Sequence, residues 1–140
     1  MPSSTPYISF PGNAAEAMPY YQEIFGGTLD LMTYGDTPME GMPFTPPPEA
    51  VAHAQLQGGL LTLAGGDDIG DSPVPLDGSA YSLMVMPGSV ADAEALINQL
   101  TSTGARIEMP FAEAPWGDHY GQVKDRFGVL WQIDVPGVQG

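Results

Sequence analysis

The sequence predicts an α+β fold made of two paired βαβββ modules, and three observations lead to this prediction. Strand-like and helix-like segments follow one another in the same order twice, as a strand, a helix and three strands. Both helical segments carry an apolar stripe at helical spacing. An acidic, turn-rich stretch separates the two halves. We expect the modules to form a curved mixed sheet around a cleft, with one helix per module on the convex face.

The predicted organisation is a single domain over residues 1–140, a length that can bury a substantial core. The first module covers about residues 6–66 and the second about residues 80–136, with residues 67–79 as the acidic linker. Hydrophobic residues make up 43% of the chain, which is ordinary for a globular protein.

Net charge and cysteine content limit the possible partners and chemistry. Seventeen acidic residues face three basic ones, so the net charge is -14. Such a surface repels phosphate groups and anionic lipids, which excludes nucleic acid and membranes as partners and is compatible with a cationic ligand. Without cysteine there are no disulfides and no thiolate sites. The N-terminus lacks a signal-peptide pattern and no apolar run approaches about 18 residues, so we expect a cytoplasmic protein.

The first module begins with a strand from Tyr7 to Phe10, which ends at a Pro-Gly turn. A helix follows, for which Asn13 and Glu16 form a capping-box pattern, and a Gly-Gly pair ends it. Pro19 would remove an interior hydrogen bond in a helix that starts at Asn13, so we expect a late start or a kink.

Three strands complete the first module. Thr28 to Tyr34 is the first of them, and residues 35–49 form a Pro- and Met-rich loop that is either a lid or an insert. The other two, Val51 to Gln57 and Leu60 to Ala64, are expected to pair through a tight Gly-Gly turn.

That register places Gln55 opposite Thr62. His53, Gln55, Gln57 and Thr62 would then share the face of the sheet that the helix leaves uncovered.

The second module repeats the pattern. Tyr81 to Met86 is a strand, Ser89 caps a helix whose apolar stripe ends before Gly104, and Arg106 to Phe111 is the next strand. A hairpin within Pro115 to Val135 follows.

With Asp125 to Gly128 as its turn, Gly121 falls opposite Gln132. His119 and Gln132 would then face inward, and Tyr120 and Trp131 would face the helix. Trp131 is predicted to be core, whereas Trp116 is a candidate for the rim of the cleft.

Four motifs carry a resemblance to a known family. They are FPGNAAEAMPYYQEIFGG at residues 10–27, HAQL at residues 53–56, WGDHYG at residues 116–121 and DRFGVLWQI at residues 125–133. In these the chain resembles the vicinal oxygen chelate superfamily, which comprises glyoxalase, bleomycin-resistance and extradiol-dioxygenase proteins, and more narrowly its PhnB-like branch. The resemblance covers nearly the whole chain and implies a homodimer.

Metal-dependent members of that superfamily hold a divalent ion with His and Glu side chains from the first and last strand of each module. The resemblance assigns those places here to Pro6 or Tyr7, Thr62, Tyr81 or Ser82, and Gln132. A neutral amide is a poor substitute for a carboxylate, because it brings no charge to offset dehydration of the ion. We therefore predict no metal site of the usual kind and no cofactor.

The function we predict is binding of a small organic molecule in a polar cleft. The residues expected to line it are His53, Gln55, Thr62, Trp116, His119, Tyr120 and Gln132.

One alternative is a glyoxalase- or dioxygenase-like enzyme, a lyase, isomerase or oxidoreductase, in which His53 and His119 are catalytic or hold a metal with Glu113 or Asp118. Another is a surface-acting interaction protein whose cleft is closed by methionines (Met39, Met42, Met84 and Met86). The residues leave open whether any reaction is catalysed. Some proteins of the branch carry a methyltransferase label, but no methyl-donor site is recognisable, and nucleotide-binding glycine loops and a Gly-x-Ser-x-Gly nucleophile motif are absent.

Overall fold

The structure is a computed structural model, and it describes residues 4–36, 47–70, 75–76 and 80–137. The chain divides into two compact units, Met1–Pro75 and Leu76–Gly140. Each unit contains one predicted module. The grouping of both modules into a single domain stays a prediction, and most of the loop proposed as a lid or insert lies outside the described residues.

Within the described residues, each module consists of one helix and four strands. The elements of the first module are β1 (Tyr7–Phe10), α1 (Ala14–Phe25), β2 (Thr28–Thr33), β3 (Val51–Gln57) and β4 (Leu63–Asp67). Those of the second are β5 (Leu83–Val85), α2 (Val90–Thr101), β6 (Arg106–Glu113), β7 (His119–Lys124) and β8 (Leu130–Val135).

The two sheets have the same topology. Their strand orders are β1-β4-β3-β2 and β5-β8-β7-β6, with the first strand parallel to the last and the other neighbours antiparallel. In each module the helix packs on one face of its own sheet, and we call the face that the helix does not cover the uncovered face. The predicted α+β class and the two βαβββ modules are confirmed.

Helix α1 begins directly after Asn13, but the predicted capping box is wrong. The Asn13 side chain makes no capping hydrogen bond, and its buried Oδ1 has no partner among the described residues. Instead Asp67, at the end of β4, accepts hydrogen bonds from the backbone N–H of Ala14 and of Val51, each 2.8 Å long. Asp67 had been assigned to the linker, yet it ties the starts of α1 and β3 to β4.

For Pro19 the sequence left open a late helix start or a kink, and the structure decides only the first. The helix does not start late, because it runs from Ala14 to Phe25 with Pro19 inside it and exposed to solvent. Buried residues of its apolar stripe, Tyr21 and Phe25 among them, cover the sheet. Packing of this stripe therefore outweighs the lost backbone hydrogen bond.

The prediction of a tight Gly-Gly turn between β3 and β4 is wrong. Gln55 lies opposite Ala64, and Thr62 lies outside both strands. The chain after Gly58 docks on the end of α1, where the Leu60 N–H donates to the Phe25 carbonyl at 3.0 Å. A side chain at position 59 would collide with that end of the helix, so the close approach of the two segments requires a glycine there.

Helix α2 matches its prediction closely. The Ser89 hydroxyl accepts the N–H of Asp92 at 3.1 Å, as expected of an N-cap. Its apolar stripe is buried from Ala93 to Leu100, and Gly104, with a φ of 104°, follows the helix. The residues that start and end this helix are therefore its own neighbours in the sequence.

The register of the β7–β8 hairpin is one residue away from the predicted one. Gln132 lies opposite Gln122, and Gly121 lies opposite Ile133. The turn takes in Val129 as well, because one oxygen of the Asp125 carboxylate accepts the Val129 N–H at 3.1 Å. A shift of one residue gives each residue of β7 a different partner on β8. It therefore changes which side chains of β7 lie on the same face as Gln132.

Candidate functional site

The uncovered face of the second sheet carries four polar side chains joined by hydrogen bonds, which we call the amide network. The Gln122 Nε2 group donates to the Tyr120 hydroxyl at 2.8 Å, and this hydroxyl donates to Gln132 Oε1 at 2.6 Å. The Gln132 Nε2 group in turn donates to Ser82 Oγ at 2.8 Å. All of these bonds are partly buried, so they fix the Gln132 amide in one orientation.

One exposed apolar side chain flanks this network. Met84 lies opposite Gln132 on β5 and is 56% exposed. Leu83 and Val85 alternate with Met84 and lie opposite the buried Trp131 and Ile133. Met84 therefore shares the uncovered face with Gln132. The predicted core position of Trp131 is confirmed, since it is 0% exposed.

The groups around the Gln132 amide do not fit a divalent metal ion. The amide oxygen of Gln132 already accepts the Tyr120 hydroxyl, and its neighbours are a hydroxyl, a second amide and a thioether. None of these groups brings the negative charge that a hard divalent ion requires. Within residues 4–36, 47–70, 75–76 and 80–137 there is also no group of three His, Asp or Glu side chains spaced to hold a metal.

Two of the predicted site residues exchange faces. Tyr120 was expected on the helix side and lies beside Gln132 instead. His119 was expected to face inward with Gln132, but it lies on the α2 side of the sheet. There its ring is 5.8 Å from the Phe111 ring, and its Nε2 is 3.9 Å from Glu113 Oε2.

Trp116 lies in the turn before β7 and is 67% exposed. The Gly117 N–H donates to the Ala114 carbonyl and the Ala114 N–H donates to the Asp118 carbonyl, so this turn is tight. The indole is presented to solvent, and its predicted place at a cleft rim stays a prediction.

On the first sheet, the uncovered face carries His53 and Gln55. Alternate residues Ala54 and Leu56 are buried against α1, which agrees with the predicted faces of β3. The His53 ring stacks on Tyr7, with ring centroids 6.0 Å apart. Thr62 is exposed in the connection before β4 and does not lie opposite Gln55.

Tyr7 was considered only as a possible metal ligand. Burial, and then the nearby Tyr34 and Asp67, raise the pKa of the Tyr7 hydroxyl above its ordinary value. The hydroxyl therefore stays protonated at neutral pH and can donate a hydrogen bond. Gly66 makes room for it, because a side chain there would meet the Tyr7 hydroxyl.

Sequence reasoning missed Gln122 and named Ser82 only as one of two alternatives. Gln122 could have been found from the alternation of polar residues, since Tyr120, Gln122 and Lys124 occur at every second position before the turn. The assumed four-residue turn obscured this pattern. Neither helix in the described part of the chain has the length and apolar character needed to cross a membrane.

Comparison with known proteins agrees with this architecture. The chain is 33% identical to protein YjdN of Escherichia coli strain K12 over 149 aligned positions, which cover 96% of this chain and 95% of YjdN. The crystal structure of protein PA1353 from Pseudomonas aeruginosa superposes with a TM-score of 0.80 at 31% identity, covering 96% of this chain and 98% of that one.

A more distant solved structure is that of the PhnB protein from Bacillus cereus. It has a TM-score of 0.72 and 22% identity, and the match covers 96% of this chain and 100% of that one. At this identity the likeness concerns the fold. The family model described as Glyoxalase/Bleomycin resistance protein/Dioxygenase superfamily matches residues 6–133. With two βαβββ modules of equal topology, the chain belongs to this superfamily, as the sequence motifs indicated.

Proposed function

We propose that the protein binds a small organic molecule on the uncovered faces of its sheets, with the amide network as the polar centre of the site. The observation that supports this most directly is the fixed Gln132 amide beside the exposed Met84. Ordered polar groups next to exposed apolar surface are typical of small-molecule sites.

The chemistry of the network favours a neutral or cationic ligand. Its four side chains are uncharged, so they recognise a ligand through hydrogen bonds. Within the described residues, the Ser82 hydroxyl accepts from Gln132 and has no acceptor for its own hydrogen. The net charge of -14 disfavours an anionic ligand.

In the first module, His53, Gln55 and Tyr7 are the proposed ligand-binding residues. The stacked rings of Tyr7 and His53 offer a flat apolar surface with polar edges. Thr62 and Trp116 stay in the proposal as exposed residues at the edges of their modules.

The metal-dependent lyase, isomerase or dioxygenase is the second candidate. It requires His53 and His119 as catalytic or metal-holding residues. Their surroundings are unlike, because His53 stacks on Tyr7 on an uncovered face whereas His119 contacts Phe111 on the α2 side of its sheet. This arrangement gives the enzyme proposal less support than the binding proposal.

The interaction protein with a closed cleft is the third candidate. Met84 and Met86, two of the four methionines that would close the cleft, are 56% and 58% exposed. The other two, Met39 and Met42, lie outside the described residues.

A fragment screen by NMR tests the binding proposal. We expect neutral and cationic fragments to shift the amide signals of β7, β8 and β3, and anionic fragments to bind more weakly. Gln132→Ala should weaken binding, whereas Tyr81→Phe, at a residue 92% exposed, should leave it unchanged. Binding that survives both Gln132→Ala and His53→Ala would contradict the proposal.

Elemental analysis of protein purified without chelators separates the first two candidates. Less than about a tenth of an equivalent of metal, with none taken up on addition, agrees with the binding proposal. A stoichiometric transition metal would favour the enzyme.

We also propose that the protein is a homodimer in the cytoplasm. Large exposed apolar side chains, such as Tyr81 and Trp116, are compatible with an association surface. Light scattering coupled to size-exclusion chromatography should give twice the mass of the 14.8 kDa chain. A monomer at micromolar concentration would contradict this.

A further inference from the structure

A groove runs between α2 and β6 on the helix-covered side of the second sheet. Its volume is about 510 Å³, within the range of small-molecule sites. Ten of the described residues of this module line it: Val90, Glu94, Ile97, Asn98, Ile107, Pro110, Phe111, Ala112, Glu113 and His119. The groove is distinct from the amide network, which lies on the opposite face of the same sheet.

The irregular course of β6 accounts for the groove. This strand is at the edge of its sheet, and its pairing with β7 shifts register between Ile107 and Met109 and again between Met109 and Ala112. Pro110 lies in the second of these intervals and offers no N–H to the ladder. Such irregularities bend a strand, and here Ile107 remains 50% exposed and is not packed under α2.

The groove combines an apolar floor with an acidic rim. Ile97 and Phe111 contribute apolar surface, whereas Glu94 and Glu113 contribute carboxylates. Of the described residues that line it, none is Lys or Arg. The partner of Glu113 within this lining is His119, at a distance of 3.9 Å that is long for a hydrogen bond. The exposed carboxylates are therefore available to an external cation.

We propose that this groove is a second binding site, which takes a small amphiphilic cation with an ammonium group on an aromatic or alkyl body. The apolar body would cover Ile97 and Phe111, and the ammonium group would lie between the carboxylates of Glu94 and Glu113. An ammonium group near Phe111 also gains from the negative face of the ring. The overall charge of -14 raises the local concentration of such cations.

Three probes that share one apolar body test this proposal: 4-phenylbutylammonium, 4-phenylbutanol and 4-phenylbutanoate. We expect the ammonium probe to bind at millimolar concentration, the range for a ligand of this size, and to bind more tightly than the alcohol. The carboxylate probe should bind most weakly. In heteronuclear NMR titrations the shifts should occur at amides of α2 and β6.

Charge-removing variants provide the matched comparison. The double variant Glu94→Gln with Glu113→Gln should weaken binding of the ammonium probe about fivefold, because each exposed charge contributes modestly. Glu49→Gln removes the same kind of charge from an exposed position in the first module and should leave the affinity unchanged.

Several results would overturn the proposal. Equal affinity for the three probes, no binding at millimolar concentration, or insensitivity to the double variant would each do so. Shifts confined to the amides of Ser82, Tyr120 and Gln132 would also do so, since the cation would then occupy the amide network. Failure of this proposal leaves the function proposed for that network untouched, because the two sites share none of the residues that are varied.

Discussion

The indole Nε1–H of Trp131 donates a 2.8 Å hydrogen bond to Oδ2 of Asp125. The other carboxylate oxygen, Oδ1, accepts the N–H groups of Phe127 at 2.8 Å and of Val129 at 3.1 Å. Asp125 is 4% exposed and Trp131 is fully buried. A carboxylate is tolerated at this depth because N–H donors face both of its oxygens. It shapes the hairpin turn and holds the largest side chain of the core.

Asp125→Ala should therefore destabilise the protein by about 3 kcal/mol, since it leaves two buried N–H groups and one partly buried N–H group without their acceptor. Urea unfolding followed by circular dichroism measures this. A change below about 1 kcal/mol would show that water replaces the carboxylate.

A pair of tryptophan variants isolates the indole bond. Trp131→Phe removes the donor and some packing volume, and we expect a loss of about 2–4 kcal/mol in the free energy of unfolding. Trp116→Phe, at a residue 67% exposed, should change it by less than about 0.5 kcal/mol. Similar losses from the two variants would contradict the role assigned to Trp131.

Asp67→Ala should destabilise the protein by about 1–3 kcal/mol, because the N–H groups of Ala14 and Val51 both lose their acceptor. Asp68→Ala is the matched control. The Asp68 carboxylate accepts only the nearby Gly70 N–H among the bonds seen in the described residues, in an exposed turn. We expect the control to cost less than half as much by thermal unfolding, and a larger effect at Asp68 would contradict this account.

The contrast between Asp67 and Asn13 illustrates what the sequence could and could not predict. The apolar stripes of both helices follow from local periodicity, and these predictions hold for both modules. The cap of α1 comes from a residue 53 positions away, so no local pattern around Asn13 could reveal it. The Gly58-Gly59 turn was misjudged for the same reason, since the end of α1 decides its course.

Tyr120→Phe should lower the free energy of unfolding by about 1 kcal/mol, because Gln122 and Gln132 lose the hydroxyl between them. The Gln132 side-chain amide signal should also shift in NMR spectra, as its oxygen loses a donor. Tyr81→Phe removes a hydroxyl from a side chain 92% exposed and serves as the control. An unchanged Gln132 amide signal would show that Tyr120 does not orient it.

Asp134→Asn should stabilise the protein near neutral pH. Burial, and then the Asp118 carboxylate, raise the pKa of the Asp134 carboxyl above its ordinary value. The stability linked to this proton is fully present below the ordinary Asp pKa of about 3.9 and is lost as pH rises through the raised pKa. The melting temperature of Asp134→Asn should therefore exceed that of the parent at neutral pH, and the gain should vanish in acid.

Asp30→Asn provides the control for the general effect of lowering the net charge, since it removes the same charge from the first module. A gain from Asp134→Asn that persists in acid, or that Asp30→Asn reproduces in full, would contradict a specific effect of Asp118.

The candidate site was predictable in its residue types and not in its arrangement. Gln132, Tyr120, His53 and Gln55 were named from the sequence, and each lies on an uncovered face of its sheet. His119 was misplaced because one additional residue in the turn at Val129 changes the pairing across the hairpin. Side chains alternate in direction along a strand, so an error of one position moves a residue to the opposite face.

The two helix caps differ in how much of the chain must be folded before they can form. Ser89 lies next to α2 in the sequence, so this helix gains its cap as soon as its first turn forms. Helix α1 gains its cap from Asp67 only when the chain has closed a loop of 53 residues and β4 has reached its place. The cap of the second helix thus depends only on its neighbouring residues, whereas the cap of the first helix requires β4 to be in place.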